Sequence, residues 1–181
     1  MNHWASSCAI TNRQIGSFNY IAFVAMINLG IGDDVNLTIV PIDCPKALED
    51  VRTRLLSEGL PVQNLGAAPV SFFEARTETG ATVGWGGLEQ YGDQAILRSV
   101  VVNGVLRGLG TGRVMVEALI KEAGKQGLSQ LWLLTQSAEG FFSKLGFDVV
   151  ARETAPLAIR SSEEFIDLLD TEAVCMTKPV L

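Results

Sequence analysis

Three observations predict that this chain folds as an α/β (α+β) domain with a mixed, mostly antiparallel sheet and helices on both faces. Short apolar or alternating segments typical of strands recur from residue 37 onwards. Two longer segments with helical spacing of apolar residues lie between them. The 181 residues suffice for one compact domain with a core and are too few for two comfortable ones.

The first half of the predicted domain contains a strand, a helix and a hairpin. "LTIVPI" (37–42) is rich in β-branched residues, and Pro45 then stands where a helix can open. The spacing of leucine and valine in "KALEDVRTRLLSEG" predicts a helix that ends at Gly59. "VSFFEAR" (70–76) and "ATVGWGGLEQ" (81–90) read as two strands joined by the turn "TETG".

The second half alternates between strand and helix patterns. "AILRSVVV" (95–102) predicts a strand, and a helix is expected from about Gly112 to Lys125. "LWLLT" (131–135) is apolar throughout, which is typical of a strand covered on both faces. The remaining patterns are, in order, the helix "SAEGFFSKLG", the strand "FDVVARE", the helix "SSEEFIDLLD" and the strand "AVCMTK". The buried stripe of the long helix should contain Met115, Val116, Leu119, Ile120 and Ala123.

Charge and length restrict the partners that we expect. The net charge of −6 with no lysine or arginine cluster argues against nucleic acid. Residues 1–36 read as an N-terminal extension, packed or loose, before a domain at 37–181. Its apolar run "YIAFVAMINLGI" is shorter than the roughly 20 residues that span a bilayer, so no membrane partner is expected. A signal peptide is the alternative, although "GIGDD" offers no small-x-small cleavage site.

Cysteine and histidine are scarce. Cys8, Cys44 and Cys175 are scattered, with no CxxC and no disulfide framework, which favours a reduced cytoplasmic compartment. The only histidine is His3. The sequence therefore predicts neither a histidine-rich metal site nor a Ser-His-Asp triad.

The glycine-rich stretch "RGLGTGR" (107–113) lies between a predicted strand and a predicted helix. No Gly-Lys-Ser or Gly-Lys-Thr occurs, so it is not a P-loop. A dinucleotide fingerprint would need a small residue where Arg113 or Met115 stands.

The remaining pattern is R-x-x-G-x-G, formed by Arg107, Gly110 and Gly112. Successive backbone amides and the start of the following helix could hold a pyrophosphate there. A glycine-rich turn without a ligand is the alternative. The predicted binding segment is Arg107, Gly108, Leu109, Gly110, Thr111, Gly112 and Arg113, in which the two arginines add positive charge.

Residues 38–178 resemble the GNAT superfamily of N-acetyltransferases. "SVVVNGVLRGLGTGRVMVEALIKEA" is similar to the acetyl-CoA-binding segment of that family, and "SAEGFFSKLGF" to its following helix motif. The resemblance implies a V-splayed sheet in which two neighbouring strands part. It also implies that acetyl-CoA is the co-substrate, that Val100, Val101 and Val102 offer backbone groups to its pantetheine arm, and that no metal is needed.

A second resemblance is narrower. "LEQYGDQAILRSVVV", "LWLLTQSAEGFFSKLGF" and "APLAIRSSEEFIDLLDTEAVCM" resemble acetyltransferases encoded in arsenic-resistance operons. They are similar, more distantly, to the acetyltransferase domain of N-acetylglutamate synthases. This implies detoxification of a glutamate-like amine, including arsenic- or phosphorus-containing analogues.

Acetyl transfer needs a group that removes a proton from the amine and a group that protonates the thiolate. Glu89, at the end of a predicted strand, is the candidate base, and a solvated strand-end carboxylate is the alternative. Many relatives carry a tyrosine where Phe142 stands, so the second role is open. Thr135, Ser137, a water or the amine's own proton could fill it, while Ser137 is also a natural cap for the short helix.

Arg98 interrupts an apolar strand, in register with Ile96 and Val100. It should pair with a carboxylate such as Glu89 or receive an anionic group of the substrate. Arg160 is a second candidate; its alternative is a surface arginine before a Ser161 cap. Together the two arginines would select an acidic amino acid.

The sequence therefore predicts an acetyl-CoA-dependent N-acetyltransferase acting on a small amine. A protein N-terminal or lysine acetyltransferase and a non-catalytic acyl-CoA sensor are the alternatives. Dimers are common in the superfamily, and the last predicted strand could support a homodimer.

Overall fold

The computed structural model describes residues 37–60, 62, 65, 69–169 and 171–180. The predicted extension 1–36 lies outside the described residues. Within the described residues the chain forms one sheet, and each strand lies at a segment that the sequence pattern predicts as a strand. The strands are β1 Thr38–Pro41, β2 Val70–Arg76, β3 Thr82–Tyr91, β4 Gln94–Val102, β5 Gln130–Thr135, β6 Asp148–Val149 and β7 Val174–Pro179.

The helices of the described segments differ in length. The two long ones are α1 at Pro45–Ser57 and α2 at Thr111–Lys125. The short ones are α3 at Glu139–Ser143, α4 at Leu157–Arg160 and α5 at Glu163–Asp167. Turns of 3₁₀ helix occupy Gly104–Leu106 and Arg152–Thr154. The second of these turns explains why the predicted strand "FDVVARE" is only two residues long.

The sheet has the strand order β1-β2-β3-β4-β5-β7-β6. All neighbouring strands are antiparallel except β4 and β5, which are parallel because α2 crosses over between them. This confirms the predicted mixed, mostly antiparallel sheet.

Helices cover both faces of the sheet, as predicted. On one face, α2 buries Met115, Val116 and Leu119 against Val83 and Leu97. On the other, α1 packs over β2, and α4 and α5 pack over β4, β5 and β7. The residues buried beneath these three helices include Val51, Leu55, Phe72, Ile96, Trp132, Ile159, Phe165 and Cys175.

A β-bulge reverses the alternation within β4. The φ angle of Ser99 is 50°, and the β3–β4 register shifts between Trp85 and Gly87. Ile96 therefore faces α4 and α5, whereas Val100 packs in the core beneath α2. The prediction that Arg98 stays in register with Val100 is wrong, because a strict period of two does not continue through a bulge.

The cysteines differ in state. Cys44, which precedes α1, is disulfide-bonded, so the prediction of no disulfide is wrong for this residue. Cys175 is a free, buried thiol whose pKa burial raises to about 11. No helix of the described segments has the length and apolarity that a bilayer span requires.

Candidate active site

The glycine loop brings a row of free amides to the start of α2. The φ angles of Gly108 and Gly110 are both 78°, a left-handed conformation that glycine adopts without strain. Gly110 is the N-cap of α2, and no side chain caps the helix. Among the described residues, the amides of 108–112 donate to no backbone carbonyl. A Cβ built on Gly108 or Gly110 meets no described atom within 4 Å, so the loop is not packed against the described part of the chain at these two positions.

The arginines flanking this loop are both paired with acids. Arg107 Nη2 lies 2.5 Å from Glu58 Oε1 at the end of α1, and Arg107 Nε donates to the Val102 carbonyl. The pKa of Glu58 is lowered, chiefly because Arg107 donates a hydrogen bond to it. Arg113 Nε lies 2.9 Å from Glu117 Oε1. Both arginines are well exposed, and their contribution to phosphate binding stays a prediction.

A gap opens beside this loop because β4 and β5 part. Their pairing runs from Gln94–Gln130 to Ile96–Trp132 and then stops, although β4 continues to Val102. β4 stays paired with β3, and β5 with β7, so the edges facing each other beyond the last pair have no strand partner among the described residues. Val100, Val101 and Val102 lie along this open edge.

Glycine also allows β3 to approach β4 closely at this point. A Cβ on Gly84 would lie 2.2 Å from the Val101 carbonyl oxygen. The end of β4 at Val102 is therefore paired with β3 at a residue that has no side chain. The loop and the parted strands together form an elongated site that suits a phosphorylated cofactor with a thin arm.

A buried group of charged residues lies where the strands part. Arg98 follows the last β4–β5 pair by two residues and shares the face of Ile96. Its Nη1 lies 2.5 Å from Glu89 Oε2, and its Nε lies 2.8 Å from Glu164 Oε2 on α5. Tyr91 Oη donates to Glu89 Oε1 at 2.5 Å. We call Glu89, Tyr91, Arg98 and Glu164 the Arg98 cluster.

The contacts of Arg98 with its two carboxylates are unequal. Glu89 accepts a hydrogen bond from Arg98, and both side chains are almost wholly buried. The Nε–H of Arg98, by contrast, is not aimed at Glu164 and has no hydrogen-bond partner among the described residues. The second contact is therefore an ion pair at 2.8 Å without a hydrogen bond, and it is weaker than the contact with Glu89.

Burial sets the protonation of this cluster. Burial and the neighbouring charges of Glu89 and Asp167 raise the pKa of Glu164 to about 7, against the opposing effect of Arg98. Burial and the hydrogen bond to Glu89 raise the pKa of Tyr91 above its ordinary value of 10.0. Tyr91 therefore stays a neutral donor, and Glu164 holds its proton to a higher pH than an ordinary glutamate.

Among the described residues, no hydrogen bond or ion pair joins the other predicted site residues to this cluster. Arg160 is exposed and donates from Nε to the Ala155 carbonyl, and a clamp formed by Arg98 and Arg160 stays a prediction. The cap of α5 is Ser162, which accepts from the Phe165 amide, and not Ser161. The cap lies one residue after the first serine of the pair because helix ends depend on packing as well as on residue type.

The end of β5 carries the two predicted hydroxyls. Thr135 Oγ1 accepts from the Ala138 amide and so holds the turn into α3. Ser137 is exposed, and the N-cap of α3 is Ala138 with no side-chain cap, so the predicted capping by Ser137 is wrong. Phe141 packs against Gly112 at the start of α2. Among the described residues no group of three histidine, cysteine or acidic side chains could hold a metal.

Two residues of the Arg98 cluster were missed in the sequence. Tyr91 carried a usable signal, because it lies two residues after Glu89 and so on the same face of the strand. Glu164 carried less: only its place in the first turn after a serine cap sets it apart, and its contact with Arg98 depends on how α5 docks.

The site and fold agree with comparisons to known proteins. Residues 43–147 match the model of the acetyltransferase (GNAT) family, and the chain belongs to that family. It is therefore an acyltransferase with an N-acetyltransferase fold, and its co-substrate is acetyl-CoA. No curated sequence is significantly similar to the chain.

Solved structures share the fold at low identity. An N-acetylglutamate synthase from Neisseria gonorrhoeae, complexed with coenzyme A and N-acetyl-glutamate, matches with a TM-score of 0.63, 14% identity and 82% of this chain but only 36% of its own. A Mycobacterium tuberculosis protein in complex with CoA and NLQ matches with a TM-score of 0.61 and 22% identity. The match covers 78% of this chain and 99% of that protein. A GNAT acetyltransferase from Staphylococcus aureus matches with a TM-score of 0.59 and 15% identity. The match covers 81% of this chain and 100% of that protein. This chain thus spans about a third of the synthase.

The glycine loop gives a direct test of acetyl-CoA binding. Gly110→Ala should weaken the Kd for acetyl-CoA about tenfold, since a left-handed alanine costs about 1–2 kcal/mol and its Cβ enters the ligand space. Gly127→Ala is the matched control, because Gly127 also has a positive φ and open surroundings but lies beyond the far end of α2. Titration calorimetry measures both, and equal affinities would contradict the assignment of the loop.

Proposed function

We propose that the protein transfers the acetyl group of acetyl-CoA to the amine of a small amino-acid-like substrate. The observation that carries this proposal is the parting of β4 and β5 beside the uncapped start of α2. An acetyl-CoA whose diphosphate lies on the amides of 108–112 could extend its arm along Val100 to Val102. Its thioester would then reach the Arg98 cluster, where an amine can be deprotonated away from bulk water.

Acidic amino acids and their arsenic- or phosphorus-containing analogues are the first acceptors to test. The sequence resemblance supports this class, and the gonococcal synthase was solved with N-acetyl-glutamate. The two-arginine explanation has less support, since Arg98 already contacts two carboxylates and Arg160 is exposed and bonded to the Ala155 carbonyl. A substrate carboxylate would have to displace Glu164 from Arg98 in order to bind there.

The structure supports Thr135 and Ser137 unequally as donors to the substrate or the thiolate. Thr135 Oγ1 uses a lone pair on the Ala138 amide and keeps its proton, so it could still donate to a substrate or thiolate. Ser137, being exposed, is the weaker candidate. A cytoplasmic location stays a prediction, and the disulfide at Cys44 weighs against its premise.

An acceptor screen tests the proposed function. Release of the CoA thiol is followed with acetyl-CoA and glutamate, an arsinic or phosphinic analogue of glutamate, glutamine, and peptides with a free N-terminus or lysine. Turnover that is at least tenfold higher with the acidic amino acids, and slower in Gly110→Ala at subsaturating acetyl-CoA, is expected.

The remaining outcomes of this screen decide against the proposal in different ways. Turnover with peptides alone would show a protein acetyltransferase. Binding of acetyl-CoA by calorimetry with no turnover on any amine would show a sensor module. Equal rates with glutamate and glutamine would remove the acidic substrate class and leave the transfer itself in place.

A further inference from the structure

We propose that Glu164 takes the proton from the acceptor amine, and that Glu89 serves instead as the fixed counterion of Arg98. This inference rests on the proposed function, because it assigns a proton acceptor to that acetyl transfer. It revises the role that the sequence suggests for Glu89.

Both carboxylate oxygens of Glu89 already accept a hydrogen bond within the cluster. Its Oε1 accepts from Tyr91 Oη and its Oε2 accepts from Arg98 Nη1, both at 2.5 Å. Its side chain is only 4% exposed. These two contacts and its burial fix the Glu89 side chain against Arg98 and Tyr91.

Glu164 is arranged in the opposite way. Its Oε2 lies near Arg98 Nε, but that N–H is not aimed at it, and no described residue donates a hydrogen bond to either oxygen. Its side chain is buried, with 9% exposure against 3% for Arg98 and 4% for Glu89, so it is the most exposed of the three. Glu164 is therefore the carboxylate of the cluster with lone pairs available to an amine or to a bridging water.

The charges around Glu164 suit it to accept a proton near neutral pH. Arg98 on β4, Glu89 on β3 and Asp167 on α5 are the charged groups that act on Glu164. Tyr91 is hydrogen-bonded to Glu89. Burial and the two acids outweigh Arg98 and hold the pKa of Glu164 at about 7. A general base is most efficient when its pKa lies close to the working pH.

The location of Glu164 matches this role. Arg98 is the first residue on its face of β4 after the pairing with β5 has ended. Glu164 reaches this point from the helix that covers that face. It therefore lies next to the point where β4 and β5 part, which is where the proposed function places the thioester.

The proton balance of the step is simple. The ammonium form of the acceptor gives one proton to the Glu164 carboxylate, and the neutral nitrogen then forms a bond with the thioester carbonyl carbon. The carbon–sulfur bond breaks, the second nitrogen-bound proton goes to the departing thiolate, and the products are the amide and CoA thiol. Glu164 later releases its proton to water.

The experiment compares the pH profiles of kcat/KM for wild type, Glu164→Gln and Asp167→Asn with the best acceptor. Wild type should show an acid limb with an apparent pKa near 7. Glu164→Gln should lose this limb and fall at least about 100-fold on the plateau. Asp167→Asn should keep its plateau within about threefold and move the limb to lower pH, because a charge that raises the pKa of Glu164 is removed.

Folding and acetyl-CoA affinity are checked for each variant by circular dichroism and calorimetry. Should Glu164→Gln fail to fold, Glu164→Asp must keep the limb with a lowered plateau. An acid limb that persists unchanged in Glu164→Gln, or a loss below threefold, overturns the proposal. Absence of turnover in the wild type with every amine would instead overturn the proposed function, so the two failures are distinct.

Discussion

Replacing Arg98 by methionine is expected to lower the free energy of unfolding by about 3–5 kcal/mol. The guanidinium is buried between Glu89 and Glu164, which are themselves 4% and 9% exposed. Its removal leaves two carboxylates in the core with no cation beside them, and methionine offers neither charge nor hydrogen bonds. Such a loss is a large part of the 5–15 kcal/mol that stabilises a typical domain, roughly a third or more.

Denaturant unfolding at neutral pH measures this effect. Arg52→Met is the matched control, because Arg52 forms an exposed ion pair with Glu49 within α1. That variant should lose less than about 0.5 kcal/mol. The double variant Arg98→Met with Glu89→Gln should recover part of the loss, since one stranded charge is removed with its partner. A cost for Arg98→Met as small as that of Arg52→Met would show that solvent enters the cluster.

The strands and long helices follow from the sequence because their patterns are local. α2 buries one side, and its period of 3.6 is visible in the residues themselves, while β2 is apolar on both faces, as in a strand covered on both sides. The C-terminal segments are less well predicted. α4 and α5 are single turns whose ends depend on packing over β4 and β5, and the last part of "FDVVARE" turns instead of pairing.

The site divides in the same way. The glycine loop can be predicted because its function depends on backbone geometry that glycine spacing encodes. A charged residue in an apolar strand predicts either a carboxylate partner or an anionic ligand, and the pairing of Arg98 with Glu89 is the first of these. The contact with Glu164 could not be predicted, since it joins residues distant in the chain through the docking of α5. The bulge at Ser99, which turns Val100 away from Arg98, leaves no mark in the residue types either.

Glu164→Gln is expected to become more stable relative to wild type as the pH rises. The pKa of Glu164 is raised in the folded protein from 4.5 to about 7, so the folded state binds this proton more tightly than the unfolded chain. The stabilisation from protonated Glu164 is full below pH 4.5 and is lost as the pH rises to about 7. At about 1.4 kcal/mol per pKa unit, the loss is roughly 3 kcal/mol. Glutamine does not titrate and shows no such loss.

Denaturant unfolding at pH 5, 6, 7 and 8 covers most of this range, and the difference between variant and wild type should grow by roughly 2.5 kcal/mol in favour of the variant. Glu163→Gln is the control, because it neutralises the exposed carboxylate next in the chain and should show no comparable trend. A difference that stays flat with pH would mean that Glu164 is ionised in the folded protein throughout, held by Arg98 as firmly as Glu89 is. Glu164 would then be a second counterion with no proton to exchange, so this measurement of stability also bears on its catalytic role without any turnover being observed.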